Sequence, residues 1–338
     1  MLNKTDGLLL DICMLILIVI SGTREAAELL SLGPLSLFTA TESSKQQKKR
    51  GRMGQWLSWQ LDSGTLALLS ALWVSYVLCW VWLRRKASYR ASAGLLISWS
   101  LGLLTIAIAT MSAIDAMSRH YIYVMMIQHV LLMYLAPPLL LLGRPLSIWQ
   151  VAFARGTSKV TTRTFRLENW LVKGAGFLLG PVAACVVGTI VFLAWHLPGP
   201  WDYALLHPNV HMYVEHTSIV FAFLIWWHPL IGSIPRFSFL TTSKGRLVYL
   251  AANWIPSMLM DNVILFWPTL LYTYYSSVPH TASMPVVLDQ QLGATVMMFG
   301  GSVILLIVLL SMEYRDIYSH PGARPVPQEQ SERNARQD

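Results

Sequence analysis

Residues 195–216 read Trp-His-Leu-Pro-Gly-Pro-Trp-Asp-Tyr-Ala-Leu-Leu-His-Pro-Asn-Val-His-Met-Tyr-Val-Glu-His, holding four of the chain's nine histidines and no lysine or arginine. Apolar helical runs flank the stretch on both sides, so it reads as the turn between two membrane spans. His207 precedes Pro208, which disfavours helix at that position and puts this histidine in the turn itself. Histidines gathered at one rim of a membrane bundle need a reason, and the rest of the chain points to a metal.

The chain has 338 residues, of which 54% are hydrophobic and only 12% charged, far too apolar for a soluble domain of this size. Repeated apolar runs of about 20 residues predict an all-α, polytopic membrane helix bundle. Seven spans are expected, over 64–83, 91–112, 121–143, 175–197, 209–231, 247–268 and 292–312. Ahead of them, 8–22 is a short apolar segment interrupted by Asp11, and a basic linker with Lys45, Lys48, Lys49, Arg50 and Arg52 follows. Residues 1–52 therefore read as a signal, an anchor or a stretch before a true start at Met53. Residues 53–315 form the membrane domain, and 316–338, rich in Pro, Gln, Glu and Arg, form a cytoplasmic tail expected to be disordered. The formal net charge of +8 is no nucleic-acid signal, because the basic residues sit between spans. Cys13, Cys79 and Cys185 each lie inside an apolar run and form no CxxC pair, so neither a disulfide framework nor a thiolate zinc site is indicated.

Basic residues give the orientation. Arg84, Arg85, Lys86 and Arg90 lie in one loop, and Arg144, Arg155, Lys159, Arg163, Arg166 and Lys173 in another. Arg236, Lys244 and Arg246 occupy a third, and the tail has four more arginines, whereas the alternate loops contain Arg119 alone. Positively charged loops stay inside, so the tail is cytoplasmic and the histidine-rich turn faces outward. The linker 45–52 is the one discordant feature. His120, His196, His207, His211 and His280 then fall in or beside outer loops with Asp115, Asp202 and Asp289, while His129 and His216 lie about two turns into their spans.

Ionisable side chains inside a bilayer are costly and usually face the bundle interior. Asp261 is the sharpest case; it is either functional or hydrogen-bonded to neighbouring helices through Asn262 or Asn253. Imidazole and thioether suit copper. Met125, His129 and Met133 share one helical face at i, i+4, i+8, and Met212 and His216 repeat the spacing, as do His211 and Glu215 on an adjacent strip. Methionine is also ordinary packing material in membrane helices. No HExxH, Gly-rich phosphate loop or nucleophile elbow is present, and no enzyme is expected. Haem held by two histidines stays open, as does a copper or proton transporter with Asp261 on its path.

The segments Ser112-Ala-Ile-Asp115, His120, Met126-Ile-Gln-His129 and Ala136-Pro-Pro-Leu-Leu-Leu-Leu-Gly143 closely resemble the third-span block of the CtaG-type cytochrome c oxidase assembly factors. The resemblance continues through Trp195-His-Leu-Pro198, His207-Pro, His211, Glu215-His216 and Trp226-Trp-His-Pro229, and ends in Asp289-Gln-Gln-Leu-Gly293. Ala294 stands where the family usually has glycine, a small-for-small change. The resemblance covers roughly 55–312 and implies a seven-span protein needed for maturation of a haem–copper oxidase at the copper-delivery step. His120, His129, His196, His207, His211 and His216 are the expected copper ligands. Asp115, Glu215, Asp261, Asp289, Gln290, Met125, Met133 and Met212 are expected to support them. Expected partners are an oxidase subunit, a periplasmic copper donor and membrane lipid.

Overall fold

A computed structural model describes residues 62–85, 91–156, 177, 179–232, 237–278 and 284–319. The N-terminal segment, the basic linker, His280 and most of the tail lie outside these residues. The described residues are helical, with no strand among them. In chain order the helices are α1 (Ser63–Arg85), α2 (Ala93–Met111), α3 (Ala113–Ser118), α4 (Ile122–Val130), α5 (Ala136–Leu142), α6 (Pro145–Gly156), α7 (Pro181–His196) and α8 (Pro198–Leu206). They continue as α9 (His216–Ile231), α10 (Ser243–Phe266), α11 (Tyr274–Ser277) and α12 (Val286–Ser319), the last running past the expected start of the tail.

Five stretches are long and apolar enough to cross a membrane: Ser63–Arg85, Ala93–Met111, Ile122–Ala152, Val210–Ile231 and Val286–Asp316. The pair α7 and α8, bent by 69°, makes a sixth if it counts as one broken span. The expected span 247–268 coincides with α10, which has the length but carries Asn253, Ser257, Asp261 and Asn262 among its apolar residues. Its polar groups tie it to its neighbours. Asn253 Nδ2 donates to Thr189 Oγ1 at 3.1 Å on α7, and Trp254 Nε1 donates to Ser302 Oγ at 2.8 Å on α12.

Close helix approach depends on small residues, as is usual where no water drives association. A Cβ on Gly102 of α2 would stand 2.7 Å from the Leu140 side chain of α5, and one on Gly293 of α12 would stand 3.0 Å from Ile122 of α4. Ala294 beside it is fully buried, so the departure from the family's glycine is accommodated.

Two segments widen beyond α geometry. Leu131–Leu135 and Val210–Glu215 are π turns, whose wider loop carries one extra residue. Pro137 and Pro138 explain the first, since a proline has no N–H and its ring crowds the carbonyl four residues before it. For Pro137 that carbonyl belongs to Met133. It is freed from the helix ladder and accepts a hydrogen bond from Trp227 Nε1 at 3.0 Å, deep in the apolar centre beside Tyr134, Phe223 and Trp226. Trp227→Phe keeps most of the apolar volume but strands this buried carbonyl. It should lower unfolding stability in detergent by about 1–3 kcal/mol, read as a fall in the thermal midpoint; an unchanged midpoint would mean that the indole is not the carbonyl's partner.

Candidate metal centre

The end of the bundle formed by α3, the start of α4, the α7–α8 bend and the second π turn buries an unusual set of polar groups. His129, His196, His211, His216, Asp115, Glu215, Asp289 and Gln290 are all at most 3% exposed. The π turn sets the register of three of them. In an α-helix residues i and i+5 diverge, but the i→i+5 bond of a π turn stacks them. Here the His216 amide donates to the His211 carbonyl, and the two rings lie 4.3 Å apart between centroids. The expected pairing of Met212 with His216 at α spacing gives way to this one.

Glu215 joins two helices. Its Oε1 lies 3.1 Å from His129 Nε2 on α4, and its Oε2 lies 2.7 Å from His211 Nδ1 in its own π turn. A carboxylate only accepts, so each ring places an N–H toward Glu215. For a neutral His211 the other nitrogen, Nε2, is then a lone pair, and it sits 3.6 Å from Asp115 Oδ1. Two acceptors facing each other require a positive charge between them, either a proton on the ring or a metal ion. His211 Nε2 and both nitrogens of His216 lack a hydrogen-bond partner. Asp115, His211 and His216 each offer one ligand atom, and these atoms lie within 4.8 Å of one another.

Asp115 is ready to serve as an anion. Burial acts to raise its carboxyl, but the neighbouring His211, His216 and Arg119 hold it below the usual carboxylate range. Gln128 Nε2 donates to its Oδ1 at 3.2 Å and to the Ala109 carbonyl at 2.8 Å, and Arg119 Nη2 reaches its Oδ2 at 3.3 Å. Beside this group lies an open cleft of about 300 Å³ lined by Asp62, Asp115, Arg119, Met212 and Tyr213, among others. Asp62 accepts from the Thr65 amide at 2.7 Å and from Tyr213 Oη at 2.9 Å; the Thr65 hydrogen bonds are the main reason its carboxyl titrates low.

The other expected residues divide. His196 lies 5.2 Å from His129 between ring centroids, on the far side of Glu215 from the Asp115 group. His207 caps α8 in an exposed position, its ring tilted 4.2 Å from that of Tyr203 and bonded to the Tyr203 carbonyl, outside the buried cluster. His120 is half-buried at the end of α3. Met125 and Met133 are buried in the apolar core, while Met212 lines the cleft. Asp289 acts through the backbone: its oxygens accept from the Ile122 and Tyr123 amides at 2.8 and 2.9 Å, capping the helix that carries His129. Gln290 closes the end of α10, accepting from Leu271 N at 2.8 Å and donating to the Ile264 carbonyl at 3.2 Å. Asp261 is buried with no partner for Oδ1; Asn262 and Asn253 bond elsewhere, to the Met258 carbonyl and Thr189.

Sequence reasoning overlooked Arg119, Gln128 and Trp201. The first had a signal, being the lone basic residue of the outer loops, and the second adjoins His129.

A polytopic helical membrane protein with a buried histidine–carboxylate cluster at one end is the class that fold and site define. The sequence profile of the cytochrome c oxidase caa3 assembly factor family (Caa3_CtaG) matches residues 74–315, and the chain belongs to that family. No curated protein and no solved structure matches it. Membership makes it a cytochrome c oxidase assembly factor, associated with the oxidase it helps to build.

Replacing Glu215 with Gln leaves one acceptor and one amide donor facing two ring N–H groups. One imidazole must turn or lose its partner, so stability should fall by roughly 1–3 kcal/mol. Thermal unfolding in detergent reads the change, and a variant as stable as wild type would show that Glu215 does not hinge the two rings.

Proposed function

We propose that the protein holds copper on the outer side of a bacterial plasma membrane and yields it to a haem–copper oxidase subunit. One observation carries this reading: the buried ring nitrogens of His211 and His216, without hydrogen-bond partners, gathered with Asp115 within ligand reach. A cluster kept only for structure would satisfy those nitrogens, because an orphaned buried polar atom costs about 1–3 kcal/mol. Two imidazoles and a carboxylate bind divalent first-row ions in the usual order, with Cu²⁺ at its top. No thioether joins the group, so the cupric ion suits it. Met212 lies in the cleft where the ion would arrive.

Charge compensation supplies the route for release. Arg119 reaches Asp115 from the cleft wall, with 28% of its side chain exposed. An arriving cation displaces the guanidinium from Asp115, and the returning guanidinium helps expel it. The protein is read as a carrier, not an enzyme.

The outward orientation rests on the distribution of basic residues in the sequence, with α10 counted as the remaining span. A periplasmic donor would supply the ion. The haem alternative is less well supported, since Phe192 stacks 4.2 Å from His196 and Trp201 lies 5.5 Å from His129, filling the slot a porphyrin would need.

The combined variant Asp115→Asn/His216→Gln should lose cupric binding by the purified protein, read by electron paramagnetic resonance, and should lower copper in the oxidase of complemented cells. Full cupric binding by this variant would sink the proposal. Arg119→Gln should do the opposite in vitro, tightening cupric affinity several-fold by removing a competing charge at about 3–4 Å; weaker binding would mean that Arg119 supports the site instead of competing with the ion.

A further inference from the structure

His129 and His196 form a second donor pair that the Asp115 group does not use. His196 Nδ1 lies 2.7 Å from the Phe192 carbonyl, which only accepts, so that nitrogen carries the proton and Nε2 is the lone pair. The hydrogen bond to Glu215 likewise puts the proton of His129 on Nε2 and the lone pair on Nδ1. Both lone-pair atoms, His196 Nε2 and His129 Nδ1, have no hydrogen-bond partner, and both residues are 0% exposed. Their tautomers are thus fixed from outside, each with a nitrogen left over. Neighbouring groups hold the rings firmly. Phe192 stacks on His196, Trp201 contacts both imidazoles, and Tyr272 stacks 4.3 Å from Trp201 while donating from its hydroxyl to the His196 carbonyl.

We infer that His129 and His196 are a separate seat for a cuprous ion, joined to the cupric group of Asp115, His211 and His216 through the shared carboxylate of Glu215. The inference rests on the copper reading above and adds a second site with a different oxidation state. With metal–nitrogen bonds of about 2.0 Å, two imidazoles in a straight line would have centroids about 6 Å apart; the centroids here lie 5.2 Å apart, so seating one ion between them requires the rings to part by about 1 Å. The donor count selects the state. Cupric ions want tetragonal sets of nitrogen and oxygen donors, which two rings in an aromatic pocket do not offer. A filled-shell cuprous ion is content with two imidazoles in a near-linear pair, and its single charge costs less to bury inside a membrane than a double one. Glu215 lies against His129 and supplies the balancing negative charge without being a ligand.

The test uses the full-length protein in detergent, loaded with cuprous ion under ascorbate without oxygen and titrated against a colorimetric cuprous chelator. One cuprous equivalent is expected, and X-ray absorption on the wild type should count two imidazole nitrogens. His196→Gln should weaken cuprous binding by at least about tenfold. Asp115→Asn/His216→Gln should leave it within about twofold while removing the cupric resonance signal. Cuprous binding that survives His196→Gln, that disappears with the Asp115/His216 variant, or that never occurs in the wild type overturns the second seat. So does a wild-type spectrum with three or more nitrogen donors, which decides the matter even where a variant fails to fold. The cupric reading stands or falls separately, on the resonance signal alone.

Discussion

A carboxylate buried in a membrane bundle must be answered by donors, and Glu215 is answered twice. At 1% exposure it has no water to turn to, and each oxygen takes an imidazole N–H. An uncompensated charge at that depth would cost several kcal/mol, so α4 and the second π turn cannot slide past each other without breaking the pair. Much of the surrounding structure holds that register. Asp289 caps α4 from the last helix, and Gln290 fastens the end of α10 to the same helix start. The Asp289-Gln290 pair is therefore a clamp that keeps His129 opposite Glu215, even though it stands apart from the ring nitrogens.

The two π turns convert local strain into that geometry. Around Pro137 the missing N–H would leave a carbonyl unsatisfied in the centre of the bundle, and the indole of Trp227 takes it up. In Val210–Glu215 the same device has a chemical result, since the extra residue turns His211 and His216 toward each other. A regular helix would have kept the two rings on different faces.

This explains what could be read from the sequence and what could not. Apolar runs with few charges located most of the spans, because backbone satisfaction in lipid leaves helix as the only option for a single segment. The clustering of His196, His211, His216 and Glu215 was legible from their crowding into one turn, and His129 from its depth. The expected count of seven goes beyond the five or six stretches apolar enough to span, because α10 trades apolarity for polar contacts with α7 and α12. His207 counts among the expected ligands although Pro208 already places it in the turn, and the structure leaves its ring outside the cluster. The methionines shared a helical face with His129 on paper. Met133, however, falls inside a π turn, where α spacing no longer predicts direction. Arg119 was visible as a lone charge, yet its contact with Asp115 depends on a short helix that periodicity alone does not reveal.

The division between satisfied and unsatisfied atoms is what favours the proposed carrier over a static scaffold. In this cluster every carboxylate oxygen of Glu215 and Asp115 has a cationic or N–H neighbour, while five ring nitrogens of the four histidines lack a hydrogen-bond partner. Orphaned donors or acceptors would be removed cheaply by apolar side chains of similar size if packing were their only task. A resident cofactor site would instead be closed on all sides, as structural metal sites are. Here the Asp115 group adjoins a cleft, and the partly exposed Arg119 supplies positive charge to Asp115. On the copper reading proposed above, tight burial of the nitrogens would give retention and the replaceable guanidinium release, the two properties a protein that hands its ion on must combine.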